Sequence, residues 1–150
     1  MQVNIRAATV HDLKAVKAID ETLFGAETYP LFALRQLLDI TNGLLLIAEE
    51  SDKIAGYAIG HYNAVQEEAW FLSLGVLPEV RGLGIGESLT KGLINAVEQL
   101  GAKCIYLTVH PSNMGGIRIY EKLGFVKDSA ENDYYGDGSP RLIMVKTSAI

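Results

Sequence analysis

The chain of 150 residues carries 13 Lys and Arg against 18 Asp and Glu, a formal charge of −5, with 49% hydrophobic residues. That composition suits one compact domain, 1–150, able to bury a core without cross-links, and it disfavours nucleic acid as a partner. Cys104 is the only cysteine, which excludes an internal disulfide and a thiolate metal cluster. The opening MQVNIRAATVHDLKAV has no basic segment followed by an apolar stretch, and no apolar run approaches the roughly 20 residues of a membrane span. The expectation is a cytoplasmic protein with no membrane partner.

Val3–Ala7 alternates and reads as a strand. Thr9 followed by Asp12 has the form of a capping box, and Leu13, Val16, Ile19 and Leu23 then recur at helical spacing up to Phe24. Gly25–Thr28 breaks the pattern. Pro30 opens a second helix through Leu34, Leu37 and Leu38, which ends at Asn42-Gly43. Leu44–Glu49 and Ile54–Tyr62 form a hairpin around Ser51-Asp52, and Ala64–Glu67 turns into Ala69–Val76, completing an antiparallel meander that Pro78 stops. After a glycine loop, Ile85, Leu89, Leu93, Ala96, Val97 and Leu100 make the apolar stripe of a helix, with Gly101 in the C-cap place. Lys103–Val109 alternates as a strand. The intervening helix predicts that it runs parallel to Ala69–Val76 in a right-handed crossover. Pro111-Ser112-Asn113 starts a short helix ending at Leu123-Gly124. Phe125–Lys127 and Arg141–Lys146 read as closing strands around the polar loop ENDYYGDGSP.

The loop VRGLGIGES, Val80–Ser88, is the most informative stretch. No lysine follows its glycines, which excludes a Walker A loop. Its G-x-G-x-G spacing, and a following strand that ends in Val109-His110 without an acid, fit a dinucleotide loop poorly. What remains is R-x-x-G-x-G, with Arg81, Gly84 and Gly86. Glycines at a helix start let an anion reach backbone N–H groups, each such contact contributing about 1.5–3 kcal/mol, and an arginine adds a donor fork. A tight strand-to-helix turn with no ligand is the plainer alternative.

In its setting, after a strand ending Leu74-Gly75-Val76 and before a long helix, PEVRGLGIG resembles the acetyl-coenzyme A loop of the GNAT N-acetyltransferase superfamily. The order of elements is similar over almost the whole chain. The resemblance implies an α/β (α+β) fold, a single GNAT-like domain with a mixed, mostly antiparallel sheet flanked by helices and splayed between the fourth and fifth strands. It implies acetyl-CoA as cosubstrate and no metal. Leu74 and Val76 would offer backbone hydrogen bonds to the pantetheine arm and acetyl carbonyl. The N–H groups of Arg81, Gly82, Leu83, Gly84, Ile85 and Gly86 would hold the pyrophosphate.

A second stretch, SNMGGIRIYEKLGF, is similar to the family's N-x-x-[AG]-x-x-x-Y-x-x-x-G-F signature. Asn113, Gly116 and Tyr120 lie near one helix face. The resemblance gives Asn113 and Gly116 to the cofactor and makes Tyr120 the acid that protonates the departing thiolate. Against this stand a glycine tolerated in a first turn capped by Ser112 or Asn113, and a tyrosine at a core edge.

The stretches LTVHPSN, IYEKLGF and NDYYGDG resemble bacterial ribosomal-protein N-terminal alanine acetyltransferases. This implies transfer of acetyl to a protein or peptide N-terminal α-amine. At pH near 7.4 an α-amine is roughly a quarter neutral and a lysine ~0.1%, so the demand for a base differs sharply between them. Thr108 stands where the family usually has Glu, and a threonine is no base at neutral pH. His110, two residues on, is the substitute candidate, with a polar strand-end role as its alternative; His61 and Glu68 are weaker candidates. Tyr134 and Tyr135 match a tyrosine pair that flanks the peptide's first residue, Tyr29 lies where the family builds its acceptor wall, and Thr108 completes the acceptor set. Cys104 shares a strand face with Tyr106 and Thr108; a covalent acyl-cysteine route would need an activating base nearby, and a core position is the plainer reading. Two other readings stay open: a small-molecule amine acceptor such as a polyamine, amino acid or antibiotic, and a non-catalytic acyl-CoA-binding module. The chain is expected to act as a monomer or homodimer.

Overall fold

Alternating and helically spaced apolar residues build the elements where the periodicities place them. The computed structural model describes residues 2–148. The order is β1 (Val3–Ala7), α1 (Leu13–Phe24), α2 (Leu31–Ile40), β2 (Leu45–Glu50), β3 (Lys53–Asn63), β4 (Glu68–Val76), α3 (Ile85–Leu100), β5 (Cys104–Val109), α4 (Met114–Lys122), β6 (Val126–Glu131) and β7 (Arg141–Thr147), with short 3₁₀ turns between them. The seven strands form one mostly antiparallel sheet in the order β1-β2-β3-β4-β5-β7-β6. By internal contacts the chain divides into two compact units: residues up to His61 with Ser73–Ala96, and Tyr62–Leu72 with the residues from Val97 on.

The first unit buries Leu13, Val16 and Ile19 of α1, Leu34 of α2, Leu45 and Ile47 of β2, and Tyr57 and Ile59 of β3 in one cluster. The β2–β3 hairpin turns through Ser51 and Asp52, both left-handed at φ 52° and 62°, and pairs Glu50 with Lys53. Two left-handed central residues match the twist of the flanking strands. The start of α1 is anchored as the capping box predicts: Asp12 accepts the Thr9 N–H at 2.7 Å. Arg6 of β1 adds a bidentate pair at 2.9 and 3.1 Å to the same carboxylate and reaches Glu49 at 3.1 Å. These bonds, the Arg6 contact foremost, hold the Asp12 carboxyl down at about 2.

In the second unit β4 and β5 are parallel, as the crossover requires, pairing Glu68–Phe71 with Cys104–Leu107. That register uses the first four residues of each strand and goes no further, the splay expected of this fold. Burial along β5 alternates, with Ile105, Leu107 and Val109 inside and Cys104, Tyr106 and Thr108 half-buried on the other face. β7 lies between β5 and β6, antiparallel to both.

Two expectations need correction. The sixth strand is not Phe125–Lys127 but Val126–Glu131, reaching into the stretch read as loop. Its residues VKDSAE are all exposed, so no apolar alternation marks it; pairing with β7, across a bulge between Lys127 and Ser129, makes it a strand. Leu100, placed on the apolar stripe of α3, is 53% exposed, because it sits on the helix's last residue beyond the buried run Ile85, Leu89, Leu93 and Val97.

Candidate active site

In the first unit β4 runs through Gly75 into Pro78–Val80, and the chain then turns sharply into α3. The turn needs glycine: Gly82 and Gly84 have φ of 80° and 83°, which side chains resist, and a Cβ on either would meet nothing within 4 Å. Among the described residues, the N–H groups of Gly82, Leu83, Gly84, Ile85 and Gly86 have no protein acceptor; the neighbouring bonds are Arg81 N–H to Pro78 O at 3.4 Å and Ser88 N–H to Gly84 O at 3.0 Å. Five consecutive free donors at the start of a 16-residue helix, with open space in front of both left-handed glycines, suit a diphosphate. Arg81 is exposed beside them, its Nε 3.4 Å from the Val76 carbonyl.

The same unit holds a cluster that periodicity does not announce. Asp20 of α1 is 1% exposed. One of its oxygens accepts the Tyr57 hydroxyl; the other accepts the Thr28 hydroxyl and, at 2.8 Å, the Tyr29 N–H. Tyr57 also lies 3.2 Å from Ser73 Oγ of β4. Burial, then the Asp20 contact, push the Tyr57 phenol far above its usual range. The signal for this cluster was an acid on the apolar face of α1, one turn after Val16.

In the second unit Asn113 caps α4, its Oδ1 accepting the Gly116 N–H at 3.0 Å. A Cβ on Gly116 would lie 2.7 Å from the end of the Asn113 side chain, which would have to shift to admit it; Gly115 has nothing within 4 Å. Tyr120, one face of α4 further on, packs edge-on against Phe125 at 5.8 Å. Burial pushes its phenol up to about 12. Tyr120 therefore stays protonated at every physiological pH and is an O–H donor.

The β6–β7 loop is an ordered turn. Asp133 accepts the Gly138 N–H through Oδ1 and the Gly136 N–H through its carbonyl. Tyr134 and Tyr135 meet edge to face at 4.9 Å. Arg141 lies over the Tyr135 ring at 5.1 Å and donates to Ser139 Oγ and the Pro140 carbonyl. Tyr135 reaches the end of β5, its hydroxyl 3.2 Å from Thr108 Oγ1. His110 lies past the strand end, exposed; its Nδ1 accepts the Ser112 N–H at 3.1 Å and meets Ser112 Oγ at 2.8 Å. An accepting Nδ1 puts the neutral ring's proton on Nε2, which makes the outward nitrogen a donor and not a base.

Residues 13–125 match the acetyltransferase (GNAT) family. The chain belongs to the GNAT acetyltransferase family. It is 29% identical over 154 residues to an N-alpha-acetyltransferase of Sulfurisphaera tokodaii, covering 95% of this chain and 92% of that one. It is also 33% identical over 86 residues to the [ribosomal protein bS18]-alanine N-acetyltransferase of Escherichia coli K12, over 57% of each chain. The crystal structure of Chaetomium thermophilum Naa20 with a bisubstrate analogue superposes with a TM-score of 0.84 at 26% identity, covering 96% of this chain and 86% of that one.

Within the GNAT chain, the first unit thus contains Leu74, Val76, Arg81–Gly86 and Tyr29, and the second contains Thr108, Tyr134, Tyr135 and the helix that carries Asn113, Gly116 and Tyr120. Among the described residues no three His, Cys, Asp or Glu side chains form a metal-binding group, and no helix is long and apolar enough to cross a membrane.

Proposed function

We propose that this protein is a single acetyltransferase domain that moves acetyl from acetyl-CoA to the N-terminal α-amine of a peptide or protein. Bound acetyl-CoA supplies an activated thioester carbonyl. The free amides of Gly82–Gly86 and the Arg81 side chain would take its diphosphate, the backbone at Leu74 and Val76 its pantetheine arm, and Asn113 and Gly116 the helix side of the cofactor. Tyr120 donates its O–H to the sulfur as negative charge develops there. With a phenol near 12, full transfer to a thiolate whose acid lies near 8.5 is uphill by about 5 kcal/mol, so Tyr120 acts first as a hydrogen-bond donor and the final proton arrives as the amine releases one.

The observation that carries the acceptor is the 3.2 Å contact between Thr108 and Tyr135, which brings the tyrosine pair to the end of β5. It supplies two hydroxyls and two aromatic edges and no strong base. That suits an α-amine, whose neutral form costs only about 0.8 kcal/mol at pH 7.4, and it does not suit a lysine, which costs about 4 kcal/mol. The Nδ1 lone pair of His110 faces the Ser112 N–H and hydroxyl within the turn, so we assign the residue to the turn that launches α4. Relatives named for N-alpha and ribosomal-protein alanine acetylation favour the same acceptor class.

The test is incubation with acetyl-CoA and a panel of peptides with free N-termini beside polyamines, amino acids and aminoglycosides, read by mass spectrometry. Acetylation of peptide α-amines, abolished by N-terminal blocking and indifferent to internal lysines, is the expected result. Turnover of a metabolite amine with every peptide untouched would overturn it.

A further inference from the structure

Backbone bonds of the segment joining α1 to α2 include Thr28 N–H to Gly25 O at 3.3 Å, with Ala33 and Leu34 N–H to Pro30 O at 3.0 and 3.1 Å where α2 begins. Its place is set by side chains of α1. Asp20 accepts the Tyr29 N–H at 2.8 Å, and Lys17 Nζ donates to the Tyr29 carbonyl at 2.9 Å and to Thr28 Oγ1 at 3.2 Å. Residues three apart on a helix share a face, so one turn of α1 grips the Tyr29 peptide at both its polar ends.

The other end of the network reaches the strand assigned to the cofactor. The single Tyr57 proton goes to Asp20, so Ser73 must donate to the Tyr57 oxygen, giving a chain with one polarity: Ser73 to Tyr57 to Asp20, and Lys17 to Thr28 to Asp20. Ser73 immediately precedes Leu74. Tyr57 has no freedom to move: it is fully buried, and its ring lies so close over Gly75 that a Cβ there would sit 2.5 Å from Cε1.

We propose that Asp20 is a positioning residue that sets the Tyr29 acceptor wall against the Ser73–Val76 end of β4, so that one buried carboxylate fixes the acceptor amine relative to the acetyl donor. This rests on the acetyl transfer proposed above and on the acceptor place that the resemblance implies for Tyr29. Three donors converge on Asp20. An asparagine keeps the shape but offers one accepting oxygen, and its NH₂ must face a donor. A purely structural carboxylate would lower stability and leave the two Michaelis constants in proportion; a positioning carboxylate shifts one of them.

The experiment compares wild type with Asp20→Asn, Thr28→Val and Ser73→Ala. Initial rates are measured with amine and acetyl-CoA varied separately, and amide hydrogen exchange is followed at residues 25–30 and along α3. Asp20→Asn and Thr28→Val should raise the KM for the amine about tenfold and leave that for acetyl-CoA within about twofold. Exchange at Thr28 and Tyr29 should rise with α3 unchanged. Ser73→Ala should lower kcat about fivefold with loop exchange unaltered. If Asp20→Asn does not fold, Thr28→Val carries the same expectation. Unchanged exchange at residues 25–30, or both Michaelis constants rising together, overturns the proposal. If wild type uses a metabolite amine and no peptide, the peptide reading fails and the Asp20 effect is read on that amine. A protein that binds CoA and acetylates no amine at all overturns both.

Discussion

Two irregular segments of the first unit lead into helices, and they treat their backbone in opposite ways. Between Gly82 and Gly86, ahead of and into α3, the N–H groups are left without protein partners and the glycines face open space. Ahead of α2, the Tyr29 peptide has both its N–H and its C=O taken by α1. Backbone polar groups left unpaired in a turn are stable only where water or a ligand reaches them. The first segment is therefore open to water or a ligand, and the second is held by protein groups. A site that must bring a mobile thioester to an amine needs both.

The largest expected effect lies outside both segments and separates chemistry from grip. Tyr120→Phe should lower kcat about 10²-fold with CoA affinity unchanged, measured by single-turnover rates and calorimetry; an equal loss of affinity would move Tyr120 from donor to binding residue. Next, Gly84→Val attacks the open segment. A β-branched residue at φ 83° is strained by about 1–3 kcal/mol, and its methyls enter the open space, so CoA affinity should fall at least about tenfold while Tm drops by only a few degrees and the protein stays folded. A variant that binds CoA normally would break the contrast drawn here.

The held segment is probed through what holds α1. Asp12 has a depressed carboxyl, from 3.8 to about 2, so its contribution is full above about pH 4 and is lost as pH falls through about 2. Asp12→Asn should cost about 2 kcal/mol at pH 7 in urea unfolding, and the gap from wild type should close between about pH 4 and pH 2. A gap independent of pH would mean that the Arg6–Asp12 pair does not supply it. Gly75→Ala drives a methyl into the Tyr57 ring and Leu23, and should cost about 1–3 kcal/mol of stability in urea unfolding; a variant as stable as wild type would show that the Tyr57 ring is free to shift.

The fold was legible wherever burial follows period. β2, β3, β5 and the buried run of α3 announce themselves, and the turn glycines at Gly43, Gly82, Gly84 and Gly101 stand at left-handed positions. β6 was shortened because an exposed strand has no apolar pattern to show; its partner β7 defines it. The same division runs through the candidate site. The amide cradle is a local device, so a nine-residue stretch displays it. The clamp on Tyr29 joins residues 17, 20, 28, 29, 57 and 73, whose proximity exists only after β3 and β4 are laid beside α1. Gly116 is legible twice over: it stands in the family-like motif, and its N–H donates to the Asn113 side chain that caps the helix.

The acetyl-CoA site proposed for this chain stands or falls with diphosphate binding by the free amides from Gly82 to Gly86. Titrating ¹⁵N-labelled protein with CoA, and separately with pantetheine, which lacks the diphosphate, tests it residue by residue. The expected result is large shifts of the Gly82, Leu83, Gly84, Ile85 and Gly86 amide signals with CoA and almost none with pantetheine. Signals that stay in place at millimolar CoA, or that move equally with pantetheine, would contradict it.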